Sequence, residues 1–229
     1  MAYSDKVIDG RRFVRRFFNT ALQSAKTTVE ELSKRSYSTI AVVTTVNETT
    51  VAVRDEFLKL WTGQPPLVVD LNPADTDLNS TASRIQAGNP SAVYLISGPP
   101  QLFLLPTALR RIAYKGDFIT PSYGRNQAAI KAANGALEGA LVIAVFSDRL
   151  EGLVEECKRR FGTDVSEDGV SAYDVGLFLA RGFESGDLLQ YLDSRTELSG
   201  ETGVWQKQDR YTFAPALSVG HISGGSVLK

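Results

Sequence analysis

The chain has 229 residues, 43% hydrophobic and 22% charged, which fits one large or two small globular domains with a core that needs no covalent staples. Lys+Arg total 25 and Asp+Glu 26, and this balance argues against a dedicated nucleic-acid binder, which carries a basic excess. A single cysteine, Cys157, and a single histidine, His221, exclude an intrachain disulfide, Cys-rich metal sites and multi-histidine metal sites. No apolar run is long enough to span a bilayer. The polar start, Met1 to Lys6 and then Arg11-Arg12, has no apolar stretch of the secretory kind, so the expectation is a cytoplasmic chain, a mature form or an expressed piece.

In chain order, Thr20 to Lys34 carries Ala21, Leu22, Ala25, Val29 and Leu32 at helical spacing. The β-branched run Thr39 to Val46 predicts a buried strand, and Asn47 to Thr50 a polar turn. Val51 to Trp61 reads as helix, ended by Gly63 and Pro65-Pro66. Leu67 to Leu71 is a second strand, Leu78 to Ala87 a helix, and Ala92 to Ile96 a third strand. Leu102 to Ala113 reads as a helix that Pro106 should shorten or kink, and Phe118-Ile119 as a fourth strand. Further on, Ala140 to Phe146 is a strong strand. Asp148 to Arg160 is a helix with Leu150, Val154 and Cys157 inward, Asp164 to Gly169 an acidic loop, and Ser171 to Glu184 an apolar helix. A short helix near Asp187 to Tyr191 follows, and Leu198 to Lys229 reads as short strands and turns.

Strand–helix alternation predicts right-handed βαβ units and a parallel sheet with helices on both faces. In such sheets ligands bind beyond the carboxyl ends of the strands. Those ends carry Thr44, Thr45, Asn47, Thr49 and Thr50, then Ser97, Gly98 and Gln101, then Ser122, Tyr123 and Arg125. Hydroxyls, amides and one aromatic suit a small polar ligand held by neutral hydrogen bonds, although the same residues also make ordinary polar loops.

Recognised catalytic chemistry is thin. Neither nucleotide-binding glycine loop is present, nor a G-x-S-x-G elbow. His221 lies in a Gly/Ser-rich tail and reads as a surface residue, and Cys157 as a small core residue. The expectation is a non-enzyme with no catalytic residue, no metal and no cofactor. The mixed run from Arg11 to Phe18 reads as Phe side chains in the core with Arg heads in water, in preference to a nucleic-acid contact.

Several local patterns carry a family resemblance. They are Arg15-Arg16-Phe17-Phe18-Asn19-Thr20 before a long helix, Pro90-Ser91-Ala92-Val93-Tyr94-Leu95, and Ala136-Leu137-Glu138-Gly139-Ala140 with Phe146-Ser147. The most specific is Phe161-Gly162-Thr163 followed by Ser171-Ala172-Tyr173-Asp174-Val175, and Leu198, Gly200 and Gly203 complete the set. Together they resemble the type 1 periplasmic solute-binding proteins of the leucine/isoleucine/valine-binding kind. The resemblance implies an α/β fold of parallel-sheet, Rossmann-like lobes with the second lobe incomplete, because the family's first half of lobe 1 has no counterpart here. It implies lobe 2 over 1–124, completed by the 200–229 tail, and a partial lobe 1 over 125–199. It also implies a solute-binding or sensory role outside the cytoplasm, for an amino acid or amide, with a membrane transporter or receptor as partner. The family's lobe 1 donors for an amino acid would lie in the absent part, and the open lobe would call for a homodimer or the missing half-lobe. Where the family often has an aromatic-Gly pair and an acid, this chain has Glu48-Thr49 and Pro121-Ser122-Tyr123. A ligand-free interaction module on the same fold is the alternative.

Overall fold

The computed structural model describes residues 8, 11, 13–147, 150–162 and 167–229, with only the backbone described at 150, 151, 167 and 168. Two compact units form: one of Ala21–Ala144 with Leu217–Lys229, the other of the described residues up to Thr20 with Val145–Ala216.

The larger unit is a seven-stranded sheet. Its strands are β2 (Ile40–Thr45), β3 (Leu67–Leu71), β4 (Ala92–Ile96), β5 (Asp117–Pro121), β6 (Leu141–Ala144), β10 (Ser218–Ser223) and β11 (Ser226–Leu228), in the order β11-β10-β6-β5-β4-β2-β3. The five strands from β3 to β6 are parallel, as the alternation predicts. The chain's tail departs from that expectation: β10 lies antiparallel on β6, and β11 antiparallel on β10. β2, β4 and β6 are buried along their whole length, which explains runs such as Ile40-Ala41-Val42-Val43 with no polar alternation. One face packs on α1 (Ala21–Lys34) and α2 (Glu48–Leu60) through Ala25, Leu32, Val53 and Phe57 against Val42, Tyr94 and Ile96. Phe57 stacks on Trp61 at 5.7 Å and meets Tyr94 at 5.0 Å. α3 (Asn79–Ala87), α4 (Gln101–Arg111) and α5 (Gln127–Ala132) complete the unit.

Three local expectations change. α2 begins at Glu48, because Asn47 caps it: its side chain accepts the Thr50 amide at 3.0 Å while the Thr50 hydroxyl accepts the Asn47 amide at 3.2 Å. The predicted polar turn is therefore the helix's first turn. α4 runs through Pro106 to Arg111, with the proline ring buried. α5 adds a helix between the expected elements; Asn126 caps it by accepting the Ala129 amide at 2.8 Å.

The smaller unit holds β1 (Arg16–Phe17), α6 (Leu150–Phe161), α7 (Glu167–Glu184), α8 (Leu188–Ser194), β7 (Glu197–Gly200), β8 (Gly203–Asp209) and β9 (Thr212–Pro215). Its sheet runs β1-β9-β8-β7. β7, β8 and β9 form an antiparallel meander, and β1 lies parallel to β9. Its core is aromatic: Phe17 stacks on Phe213 at 5.7 Å, and Phe178 meets Trp205 edge-on at 5.8 Å. The loop expected at Asp164 to Gly169 is helical from Glu167, while Asp148 and 163–166 lie outside the described residues.

The unit boundaries fall elsewhere than at 124/125 and 199/200. Residues 125–144 go with the large sheet because β6 pairs with β5, and residues 200–216 go with the small sheet because β8 and β9 pair with β7 and β1. The Arg–Phe run is also corrected. Phe17 is core, but Phe13 is 72% exposed. Arg15 and Arg16 are buried instead of water-facing: Arg15 pairs with Asp193 at 2.6 Å and Arg16 reaches Asp209 at 3.9 Å.

Candidate functional site

Within the large sheet, β3 lies on one side of β2 and β4 on the other. The chain therefore leaves β2 in one direction and returns to build β4, β5 and β6 in the other. In an open α/β sheet such a reversal, here at the carboxyl ends of β2 and β4, is the usual ligand position.

The expected site residues cluster there, but they do different things. Thr45 ends β2 and Ser97 follows β4; both are buried and their hydroxyls hydrogen-bond each other. Ser97 Oγ also donates to Gly98 O at 3.1 Å, and Thr50 Oγ1 donates to Thr45 O at 2.5 Å. Asn47 and Thr50 are thus occupied in capping α2. Gln101 is occupied as well: buried at the start of α4, it donates from Nε2 to Pro73 O at 2.8 Å and Asp75 O at 3.0 Å, pinning the β3–α3 loop. Thr49, Gly98, Ser122 and Tyr123 remain half-buried along the rim. Open space lies where a side chain at Gly98 would project. Pro100 caps α4 without a side-chain acceptor, and the Leu102 and Phe103 amides instead donate to Gly98 O at 3.0 Å and Pro100 O at 3.1 Å.

Ser122–Arg125 forms a single 3-10 turn at the end of β5. Gly124 lets it sit down on the strand: a Cβ there would lie 2.2 Å from Thr120 Cγ2. Tyr123 comes within electrostatic reach of Tyr94, whose buried hydroxyl is pushed up to about 12, mainly by loss of water.

Two residues of the same segment behave differently from these. Val46, directly after Thr45, is 44% exposed and gives the rim an apolar contact. Thr44 is fully buried, and its hydroxyl has no partner among the described residues. Both belong to the β-branched run that signals β2, and their position at its carboxyl end marks them. Near these strand ends, Asp70 of β3 pairs with Arg54 at 2.6 Å, and Arg54 also holds Asp55 at 2.8 Å.

Nothing in this set resembles a nucleophile with a positioned base. His221 is exposed on β10, and Cys157 is half-buried on α6. Among the described residues no group of three or more His, Cys, Asp or Glu could hold a metal ion, and no helix is long and apolar enough to cross a membrane.

No protein-family model matches the sequence, and no curated protein matches it. Solved structures do. A leucine-binding protein of Thermotoga maritima superposes with a TM-score of 0.83 at 20% identity, over 97% of this chain and 68% of that one. The branched-chain amino acid transporter substrate-binding protein LivJ of Streptococcus pneumoniae, solved with isoleucine, gives 0.78 at 12% identity, over 93% and 65%. A solute-binding protein from R. palustris, solved with benzoate, gives 0.75 at 14% identity, over 91% and 62%. This chain spans about two thirds of the length of these proteins. The fold of the chain is that of the type 1 periplasmic solute-binding proteins.

Proposed function

We propose that the chain is a solute-binding domain that holds a small polar molecule at the β2/β4 crevice without chemically altering it. One observation carries the reading: the topological reversal at β2 brings the Thr45–Ser97 hydroxyl pair, the open space over Gly98 and the α4 N-terminus to one sheet edge. Thr45 and Ser97 set the floor; Thr49, Gly98, Ser122 and Tyr123 supply the rim, with Asn47, Thr50 and Gln101 holding those loops in place. Val46 and Tyr123 offer apolar surface to the ligand's hydrocarbon part. Proteins of this fold hold leucine-type amino acids and benzoates, so the ligand is sought among small carboxylic acids with an apolar body. The same likeness supports a role outside the cytoplasm, in the service of an ABC-type transporter or a receptor.

The test is a thermal-shift screen of the purified chain against branched-chain amino acids, benzoates, small amides and sugars. A ligand present at ~100 times its dissociation constant adds about 2.7 kcal/mol, a shift of several degrees for a chain of this size. A folded sample that responds to no compound in these classes overturns the reading in favour of a ligand-free interaction module.

A further inference from the structure

The helices of the large unit divide by charge. α1 and α2 hold four Lys or Arg and five Asp or Glu, whereas α3, α4 and α5 hold four Lys or Arg and no carboxylate. Those four are Arg84, Arg110, Arg111 and Lys131, and Lys115 follows in the α4–β5 loop. α4 packs against both α3 and α5, so these residues share one helical group. Arg84, Arg111, Lys115 and Lys131 are exposed and Arg110 is half-buried. The single acid between 78 and 137 is Asp117, which accepts the Tyr37 hydroxyl at 2.6 Å. Among the described residues none of the five cations forms an ion pair. Arg84 donates to Val68 O at 2.9 Å, Arg110 to Tyr114 O at 2.8 Å and Gly116 O at 3.0 Å, and Arg111 to Asn79 Oδ1.

Helix dipoles explain part of this pattern. Arg84, Arg110, Arg111 and Lys131 all sit in last turns, where a cation is favoured. Lys34 and Lys59 sit in last turns too, yet they pair with Glu31 at 3.5 Å and Glu56 at 2.6 Å. The dipole therefore accounts for where the cations stand and not for the missing acids. We propose that the α3–α4–α5 face docks an acidic segment of a partner protein. Its three guanidiniums are held by neutral acceptors of the chain itself, and a guanidinium fork fixed in this way matches a carboxylate. Ile112, 38% exposed beside Arg111, adds an apolar contact. A folded or folding polypeptide can use both features. A bilayer or a nucleic acid responds mainly to summed charge, and the chain's net charge is −1. The face also stands apart from the β2/β4 strand ends, because Arg110 and Arg111 end the helix that Gln101 begins, ~14 Å along its axis. Docking there needs no solute.

Fluorescence anisotropy of the full chain with a labelled peptide of alternating Glu and Ala tests this. The expected dissociation constant is ~10–100 µM at ~25 mM salt, weakening about tenfold or more at ~150 mM, where the screening length falls to ~8 Å. Lys115→Glu/Lys131→Glu should keep the thermal transition, since both side chains are exposed, and should lose about tenfold or more in affinity. Lys26→Glu/Lys34→Glu makes the same change of net charge on α1 and should stay within about threefold of the parent. Absence of binding at ~25 mM salt overturns the proposal. An equal loss in the two double variants overturns it too, because the attraction then belongs to net charge and not to this face. Binding to phosphatidylglycerol vesicles or to single-stranded DNA in place of the peptide overturns it in favour of a membrane or a nucleic acid.

Discussion

Asp174 in α7 accepts two hydrogen bonds from Thr202 in the β7–β8 turn, one from its amide at 2.8 Å and one from its hydroxyl at 2.5 Å. The Glu201 amide at 2.6 Å and the Trp205 indole at 3.1 Å complete a set of four donors around one fully buried carboxylate. Asp174 thereby ties α7 to the meander's first turn. Removing a buried acceptor strands its donors, so Asp174→Ala should cost about 3–5 kcal/mol and Asp174→Asn about 1–3 kcal/mol. Urea unfolding followed by Trp205 fluorescence, in a Trp61→Phe background that removes the second tryptophan, reads both. A change below ~1 kcal/mol for the alanine variant contradicts this role.

Gly200 belongs to the same arrangement. A Cβ at that position would lie 2.3 Å from the Asp174 carboxyl carbon. Gly200→Ala should therefore destabilise the unit by about 1–3 kcal/mol through overpacking, and combining it with Asp174→Ala should cost less than the sum, because the clash disappears with the carboxylate. A double-mutant cycle by urea unfolding measures that coupling.

These two residues show what the sequence made legible. Asp174 and Gly200 both stood out as parts of a family-like pattern, yet nothing in the pattern said that they touch; that follows from how α7 packs on the meander. Similarly, the strands of the large sheet were plain, because fully buried parallel strands are unbroken apolar runs. The antiparallel return of β10 was not, since short alternating strands in a Gly/Ser-rich tail carry little periodic signal. At the site, position was legible and role was not. Thr45, Asn47, Thr50 and Gln101 were correctly placed at strand ends, but their polar groups serve each other or the loops beside them. A polar residue at such an end has the same composition whether it caps a helix or faces a ligand.

Gln101 provides a test of that distinction. Both its amide hydrogens are directed at carbonyls of the β3–α3 loop. Gln101→Glu replaces the donor with an acceptor facing two acceptors, so the loop around Asn72–Asp75 should open. The expected readout is faster hydrogen exchange at the Asn72 and Asp75 amides, which bond within that loop at 3.0 Å each, with global stability reduced by about 1–3 kcal/mol. Unchanged exchange there would show that the loop holds itself.

Gly98 is the complementary case, where space and not bonding matters. Since a Cβ on Gly98 meets no atom within 4 Å, Gly98→Leu should leave the melting temperature of the free chain within about 1–2 °C of the parent. It should nevertheless remove most of the ligand-induced shift, because the added side chain occupies the crevice. Calorimetric titration of the ligand found by the screen separates the outcomes: a tenfold or greater loss of affinity, ~1.4 kcal/mol, supports the crevice as the site, and unaltered affinity moves the ligand elsewhere.

Alkaline pH probes the opposite side of the same strand. Tyr94 is fully buried on β4, its hydroxyl 3.3 Å from Thr28 Oγ1, and burial raises its ionisation from the ordinary 10 to about 12. Tyr37 and Tyr114 are raised as well, each chiefly by burial. For an acid whose folded value lies above its unfolded value, the unfolded chain loses the proton first. Stability from this group is therefore complete below pH 10 and falls as pH climbs from 10 towards 12. Chemical denaturation between pH 8 and about 11.5 should show that decline, with a further rise in tyrosinate absorbance on unfolding as the buried tyrosines join exposed ones such as Tyr173. Tyr94→Phe should make the decline shallower, at the cost of about 1 kcal/mol near neutral pH for the lost hydroxyl contact. If the wild type and Tyr94→Phe decline with the same slope, Tyr94 ionises no later in the folded chain than in the unfolded one.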